Sequence, residues 1–392
     1  YVLMNKEQKI LLQCLNGFYN KKGCNIDCDF DADALYAEAR SHNLSAITYS
    51  MLRNNAVLKN NAHAYKAFEN DFYDCIVRYD KQKAVINEID SLLNKNGIKH
   101  IFFKGSEIRE YYPVPEFRVM GDIDLLIKKE DRQIVLSLLC NAGYEAKNTN
   151  GAVYDYVKNG VLIEMHTKLI NGKVGSKSAE GYFSDAIDHA EFDGYAGHFE
   201  ANYYCAYLIT HIAHHFWFYG AGIKMILDLA VVIKRFRINT DEVIKILSEF
   251  GLDEFGKNIF TVCFKWFGTG KNYNCNTDKT EKFLLDNGVF GNINRDPSVI
   301  VRRKALEEGK KNAFAARLSL AFPPYSKMKE LPYIKFMEGR PYLLPLGWIY
   351  RIIYNLKNRK EYTKSANKNL SDRETLKCAQ DEINYFEEIG LI

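Results

Sequence analysis

The segment Asp122-Ile-Asp-Leu-Leu-Ile127 constrains this chain more tightly than any other. It is short, mostly aliphatic and free of Gly and Pro, so it predicts a β-strand. Side chains alternate along a strand. Asp122 and Asp124 therefore share one face, about 6.6 Å apart along the chain, while Ile123, Leu125 and Ile127 turn into the core. Two carboxylates beside an apolar layer are costly unless solvent or a cation meets them. A pair of Mg²⁺ ions is the natural partner, because it takes oxygen ligands and leaves positions for phosphate oxygens.

The flanking sequence builds a small sheet around this strand. Lys99–Phe103 (KHIFF) predicts a strand, Glu107–Tyr112 a short helix, and Pro113 and Pro115 a loop. Asp131–Asn141 predicts a helix. Val153–Val157 and Val161–His166 predict a hairpin across Lys158-Asn-Gly160. Residues 97–170 thus read as strand, helix, strand, helix, hairpin: a mixed sheet with helices on one face. Leu162, Glu164 and His166 share one face of their strand. If that strand lies beside Asp122–Ile127, three acids converge, and Glu164 can bind a metal and help deprotonate an attacking hydroxyl. Gly105-Ser106 follows the first strand at its carboxyl end, with Lys104 beside it and Arg118 between it and the acids. A Gly-Ser turn into a helix offers N–H groups, a hydroxyl and a positive helix end, all suited to phosphate.

Helical periodicity dominates elsewhere. Ile10, Leu11, Cys14, Leu15 and Phe18 repeat at helical spacing, as do Ala32, Leu35, Tyr36 and Ala39. Residues 62–95 predict one long helix marked by Tyr73, Ile76, Tyr79, Val85 and Ile86. Asn202–Phe218, Ile223–Phe236 and Asp241–Glu249 are helical, with loops at 268–280 and 288–297 and solvated helices after Lys357. The expected class is α+β, with a helical region at 1–95, a core at 96–200 and a helical domain at 201–392. A net charge of +4 over 392 residues argues against a general nucleic-acid binder. Nine scattered cysteines suggest reduced thiols rather than a zinc site. YVLMNKEQKI is polar within a few residues, so no secretory leader is expected. Tyr342–Leu356 holds Pro345 and Arg351 and is too short to span a bilayer. A soluble, cytoplasmic protein is expected.

The pattern Phe103-Lys-Gly-Ser106, Gly121-Asp-Ile-Asp-Leu-Leu-Ile127 and Leu162-Ile-Glu-Met-His166 is similar to that of the polymerase-β-type nucleotidyltransferases. With Arg118-Val-Met-Gly121, His215, Gly222-Ile-Lys224 and Asp228-Leu229, the chain resembles the bacterial family of uncharacterised nucleotidyltransferases over most of its length from about residue 95. The resemblance implies a Mg²⁺-dependent enzyme using a nucleoside triphosphate such as ATP. In it Asp122, Asp124 and Glu164 would be catalytic metal ligands, and Lys104, Gly105, Ser106, Arg118 and Lys224 would bind nucleotide. The acceptor would be a hydroxyl of a small molecule, sugar or protein, with pyrophosphate released. The spacing from Ser106 to Asp122 exceeds the superfamily's usual one, and the Pro113–Pro115 loop absorbs the excess.

Two other classes compete. A metal-dependent glycosyltransferase also uses Asp-x-Asp, but expects a long strand–helix alternation before it, where this chain reads as helical. A non-catalytic interaction protein has no need of three converging acids. His211, His214 and His215 have a spacing that can bind zinc, yet the aromatic residues around them favour packing. Lys224 and Asp228 read as a helix-surface ion pair, or else Lys224 reaches the triphosphate. The segment Tyr342–Tyr354, followed by Lys357, Arg359 and Lys360, can lie on a membrane surface or pack on the helical domain.

Overall fold

The computed structural model describes residues 4–175, 177–218, 220–288, 297–307, 314, 318, 321–329, 331, 333–337, 339–360 and 372–392. The chain divides into two compact units. The first comprises residues 1–147, 155–293 and 391; the second comprises 148–154, 294–390 and 392.

Helices open the first unit: α1 (Lys6–Tyr19), α2 (Ala32–Ser41), α3 (Ser45–Leu52), α4 (Ala56–Asn60) and α5 (Ala62–Lys95). A reciprocal cap between Asn5 and Gln8 starts α1, which buries Ile10, Leu11, Cys14, Leu15 and Phe18 as its period requires. Helix α5 runs unbroken for 34 residues. Its buried line is Ala64, Phe68, Cys75, Gln82, Val85, Ile89 and Leu93. Tyr73, expected on the core side, is exposed. Polar Gln82 belongs to the inner line because its amide donates to the Met120 carbonyl at 3.1 Å and accepts from Arg109 at 3.3 Å.

The strands are β1 (His100–Phe103), β2 (Asp122–Ile127), β3 (Glu145–Asn148), β4 (Val153–Lys158), β5 (Val161–His166), β6 (Glu191–Asp193) and β7 (Ala196–His198). They form a seven-stranded mixed sheet in the order β3-β4-β5-β2-β1-β7-β6. β2 lies at its centre, antiparallel to β1 and parallel to β5. Ile123, Leu125, Leu126 and Ile127 are all buried, so only the start of β2 opens toward a ligand. The chain leaves β1 through the short helix α6 (Gly105–Ile108) and two 3₁₀ turns at Arg109–Tyr111 and Pro115–Phe117. Helix α7 (Arg132–Asn141) follows β2.

After the sheet come α8 (Ala201–Phe218), α9 (Ile223–Phe236), α10 (Thr240–Ser248), α11 (Asp253–Phe267) and α12 (Asp278–Asp286). Together these elements make the α+β fold expected from the sequence.

In the second unit, the helix Arg373–Glu388 packs on the helix Pro297–Glu307, where Arg303 meets Glu382 at 3.0 Å. It buries Ala379 and Phe386, so this part of the tail is an amphipathic packed helix and not a solvated one. Most of the loop expected at 288–297, and residues 361–371 of the tail, lie outside the described residues. No helix among the described residues is long and apolar enough to cross a membrane.

Candidate active site

The strand register assembles the acids. On β5, Glu164 lies opposite Asp124 of β2, and Leu162 lies opposite Asp122. Alternation therefore brings Asp122, Asp124, Glu164 and His166 to one face. His166 Nε2 lies 3.0 Å from Asp124 Oδ1 and 3.4 Å from Glu164 Oε2. Among the described residues, Asp124, Glu164 and His166 form the one cluster of three ligand-bearing side chains close enough to share a metal ion. Asp122 stands on the same face, outside that cluster, and its carboxylate makes no hydrogen bond among the described residues.

On the other side of β2, Phe103 of β1 pairs with Asp124. The next residue, Lys104, takes a positive φ of 52° and turns the chain into α6. Its backbone N–H donates to the Tyr204 hydroxyl of α8 at 2.8 Å, which holds this conformation. Its ammonium donates to Asp124 Oδ1 at 2.7 Å. Ser106 Oγ accepts from the Asp124 backbone N–H at 3.1 Å, tying the Gly-Ser turn to the strand that carries the aspartates. Lys104, Gly105 and Ser106 thus lie beside the acids.

Arg118 is held differently. Its Nε and Nη2 donate to the two oxygens of Asp228 on α9 at 3.1 and 2.6 Å, and the Tyr112 hydroxyl donates to Asp228 at 2.6 Å. All three groups are buried. A Cβ on Gly105 would sit 2.4 Å from Arg118 Nη1, so the glycine leaves room for the guanidinium. Lys224 is also buried and donates to the Val119 carbonyl at 3.2 Å. Asp228 therefore pairs with Arg118, and the surface Lys224–Asp228 pair is not formed.

Charges at the site oppose one another. Burial pushes the Asp122 carboxyl up, Asp124 and Glu164 add to this, and Lys104 and Lys224 offset only part, leaving it at about 6. Burial acts the same way on Asp124, but Lys104 and His166 outweigh it and hold its pKa at about 2. Burial and the Arg118 charge pull Lys224 down to about 7, against Asp228 and Asp122. His166 is raised, although burial and Lys104 work against its charge, because Asp124 and Glu164 accept from it.

The model of the family described as "Uncharacterised nucleotidyltransferase" matches residues 29–268. The chain belongs to the uncharacterised nucleotidyltransferase family. The matched span contains every residue of the site described above. No curated protein and no solved structure matches the chain.

The donor set of this nucleotidyltransferase-family member fits a divalent cation. Asp122 is a carboxyl whose pKa burial and two neighbouring acids raise to about 6, and a cation would relieve that cost. Asp124 and Glu164 add oxygen donors, and His166 adds a ring nitrogen.

The sequence places His166 on the face of Glu164 without giving it a role in the site. Its signal was the two-residue step from Glu164, which puts both on one face. Asp228 was read as part of the family pattern and as a partner for Lys224, not for Arg118. The α8 histidines pack as rings: His211 stacks on Tyr207 with centroids 5.9 Å apart and meets His215 at 4.6 Å. Burial, together with surrounding positive charge, lowers His215 to about 4 and also lowers His211.

Proposed function

We propose that this chain is a divalent-metal-dependent nucleotidyltransferase. It transfers a nucleoside monophosphate from a triphosphate to a hydroxyl acceptor and releases pyrophosphate. The observation that carries this reading is the alignment of Asp124 and Glu164 across β2 and β5, with unpaired Asp122 on the same face. Residues 96–200 would form the catalytic core between helical regions 1–95 and 201–392.

Asp122, Asp124 and Glu164 would hold the metal, as a pair of Mg²⁺ ions in the fullest form of the reading. When bound, the cation would stabilise charge on the attacking and leaving oxygens. Glu164, whose side chain is 31% exposed, would accept the proton of the incoming hydroxyl. Lys104 and Lys224 would neutralise triphosphate oxygens, and Gly105 and Ser106 would line them. Arg118 would act through Gly105, holding the turn rather than touching phosphate. The acceptor class is a small molecule, sugar or protein hydroxyl.

A glycosyltransferase reading gains no support from the fold. Among the described residues, helices α1 to α5 precede β1 without strands, and β1 is the one strand before Asp122.

Thermal unfolding with ATP, GTP, CTP and UTP, each with and without Mg²⁺, tests the proposal. A ligand at a hundred times its dissociation constant adds about 2.7 kcal/mol. The expected result is a Mg²⁺-dependent shift with at least one triphosphate, lost in Asp124→Asn. Equal shifts in the parent and the variant would count against the site.

A further inference from the structure

The second unit carries an apolar face that its own core does not use. Its helix Leu344–Asn358 turns Gly347 and Trp348 inward. Trp348 packs on the cluster of Met328, Ile334 and Met337, and its Nε1–H donates to the Pro323 carbonyl at 2.8 Å. Tyr354 stacks on Tyr333 with centroids 3.8 Å apart. A Cβ on Gly347 would meet Met337 Sδ at 2.1 Å, so this side of the helix is closed. The opposite side should be polar on an ordinary surface helix. Instead it carries Leu346, Ile349, Ile353 and Leu356, each more than half exposed, with Tyr350 and Ile352 beside them. At 100° per residue these side chains occupy one continuous arc of the helix.

The charge of the surrounding sequence says what this face meets. Residues 309–360 contain 11 Lys and Arg against 2 Glu, a net charge of +9. The rest of the chain then carries −5, although the total of +4 is nearly neutral. Lys357, Arg359 and Lys360 close the helix at the end of the apolar arc, and no acid lies between Gly339 and Lys360. A second copy docked through this helix would bring another segment of +9 beside the first, which opposes self-association. A nucleic acid would meet the charge but not a row of Leu and Ile. An anionic bilayer meets both, because apolar side chains enter the acyl boundary while Lys and Arg remain at the headgroups.

We infer that the helix Leu344–Asn358 docks the chain on the surface of an anionic lipid membrane. The helix lies in the interface and does not cross it. This inference stands apart from the chemistry of the carboxylate site.

Vesicle flotation of the full chain tests it. Neutral phosphatidylcholine vesicles are compared with vesicles holding about 30% phosphatidylglycerol, at low salt and at about 0.5 M salt. Binding is expected only to the anionic vesicles, with a drop of roughly tenfold or more at high salt. The variant Ile349→Glu/Ile353→Glu changes two exposed side chains and should keep the parent's thermal midpoint while losing vesicle binding. The variant Lys357→Gln/Arg359→Gln/Lys360→Gln should weaken binding and leave folding intact. Absence of binding to anionic vesicles at low salt would overturn the inference, as would binding that both folded variants retain. A dimer seen by light scattering and dispersed by Ile349→Glu/Ile353→Glu would overturn it in favour of a second copy. Selective capture of an acidic protein with no vesicle binding would overturn it in favour of that partner.

Discussion

At the scale of single residues, the site is held away from its own stability optimum. Asp122 is raised to about 6, above the roughly 3.9 of a free carboxyl. Between those values the folded state binds more protons than the unfolded one, so this group's contribution to stability falls as pH rises through 4 to 6. Asp122→Asn removes that cost and should stabilise the metal-free protein at pH 7 by up to about 3 kcal/mol, read by urea unfolding. The gain should vanish near pH 4. Asp124 has the opposite sign: its pKa is held at about 2, so its stabilisation is present above about pH 4 and is lost on acidification toward 2. Asp124→Asn should therefore destabilise at pH 7, and one pH series distinguishes the two aspartates. Gly105 is constrained by space. Gly105→Ala should cost about 1 to 3 kcal/mol, because the added methyl meets the Arg118 guanidinium, and should reduce nucleotide-dependent stabilisation.

Between elements, the buried pair of Arg118 and Asp228 joins the loop before β2 to α9. Removing one partner leaves a buried charge alone. Arg118→Met and Asp228→Asn should each cost about 3 to 5 kcal/mol in chemical denaturation. The double variant should cost clearly less than their sum. Additive losses would mean that the pair is not coupled. The elements also explain what could be read in advance. β2 and β5 have the expected bounds because their apolar residues alternate or run continuously between turn residues. Helix α9 has the expected bounds as well, with a strong apolar stripe. β3, β6 and β7 were not legible: Glu145–Asn148, Glu191–Asp193 and Ala196–His198 are short, with no apolar alternation, and their strand form comes from pairing at the sheet edges. The helix expected at Glu107–Tyr112 begins earlier and tightens into a 3₁₀ turn, since Lys104 at positive φ starts it directly after β1.

Across the whole molecule, the carboxylate positions were legible because strand alternation is local, whereas the partners of each charge depend on distant chain. Arg118 meets Asp228 across 110 residues and Lys104 meets Tyr204 across 100, and no local pattern specifies either contact. The uneven charge was present in the sequence but hidden in a total of +4, since −5 elsewhere masks the +9 of residues 309–360. The central claim is that one face of β2 and β5 transfers a nucleoside monophosphate. Its most direct test supplies each nucleoside triphosphate labelled at the α- or the γ-phosphate, with Mg²⁺ and a fractionated pool of hydroxyl acceptors, to the parent and to Asp124→Asn. The account predicts that α-label enters a product with equal release of pyrophosphate, that γ-label leaves only in pyrophosphate, and that Asp124→Asn does neither. Transfer of the γ-label to product, or α-label transfer that survives in Asp124→Asn, would contradict it.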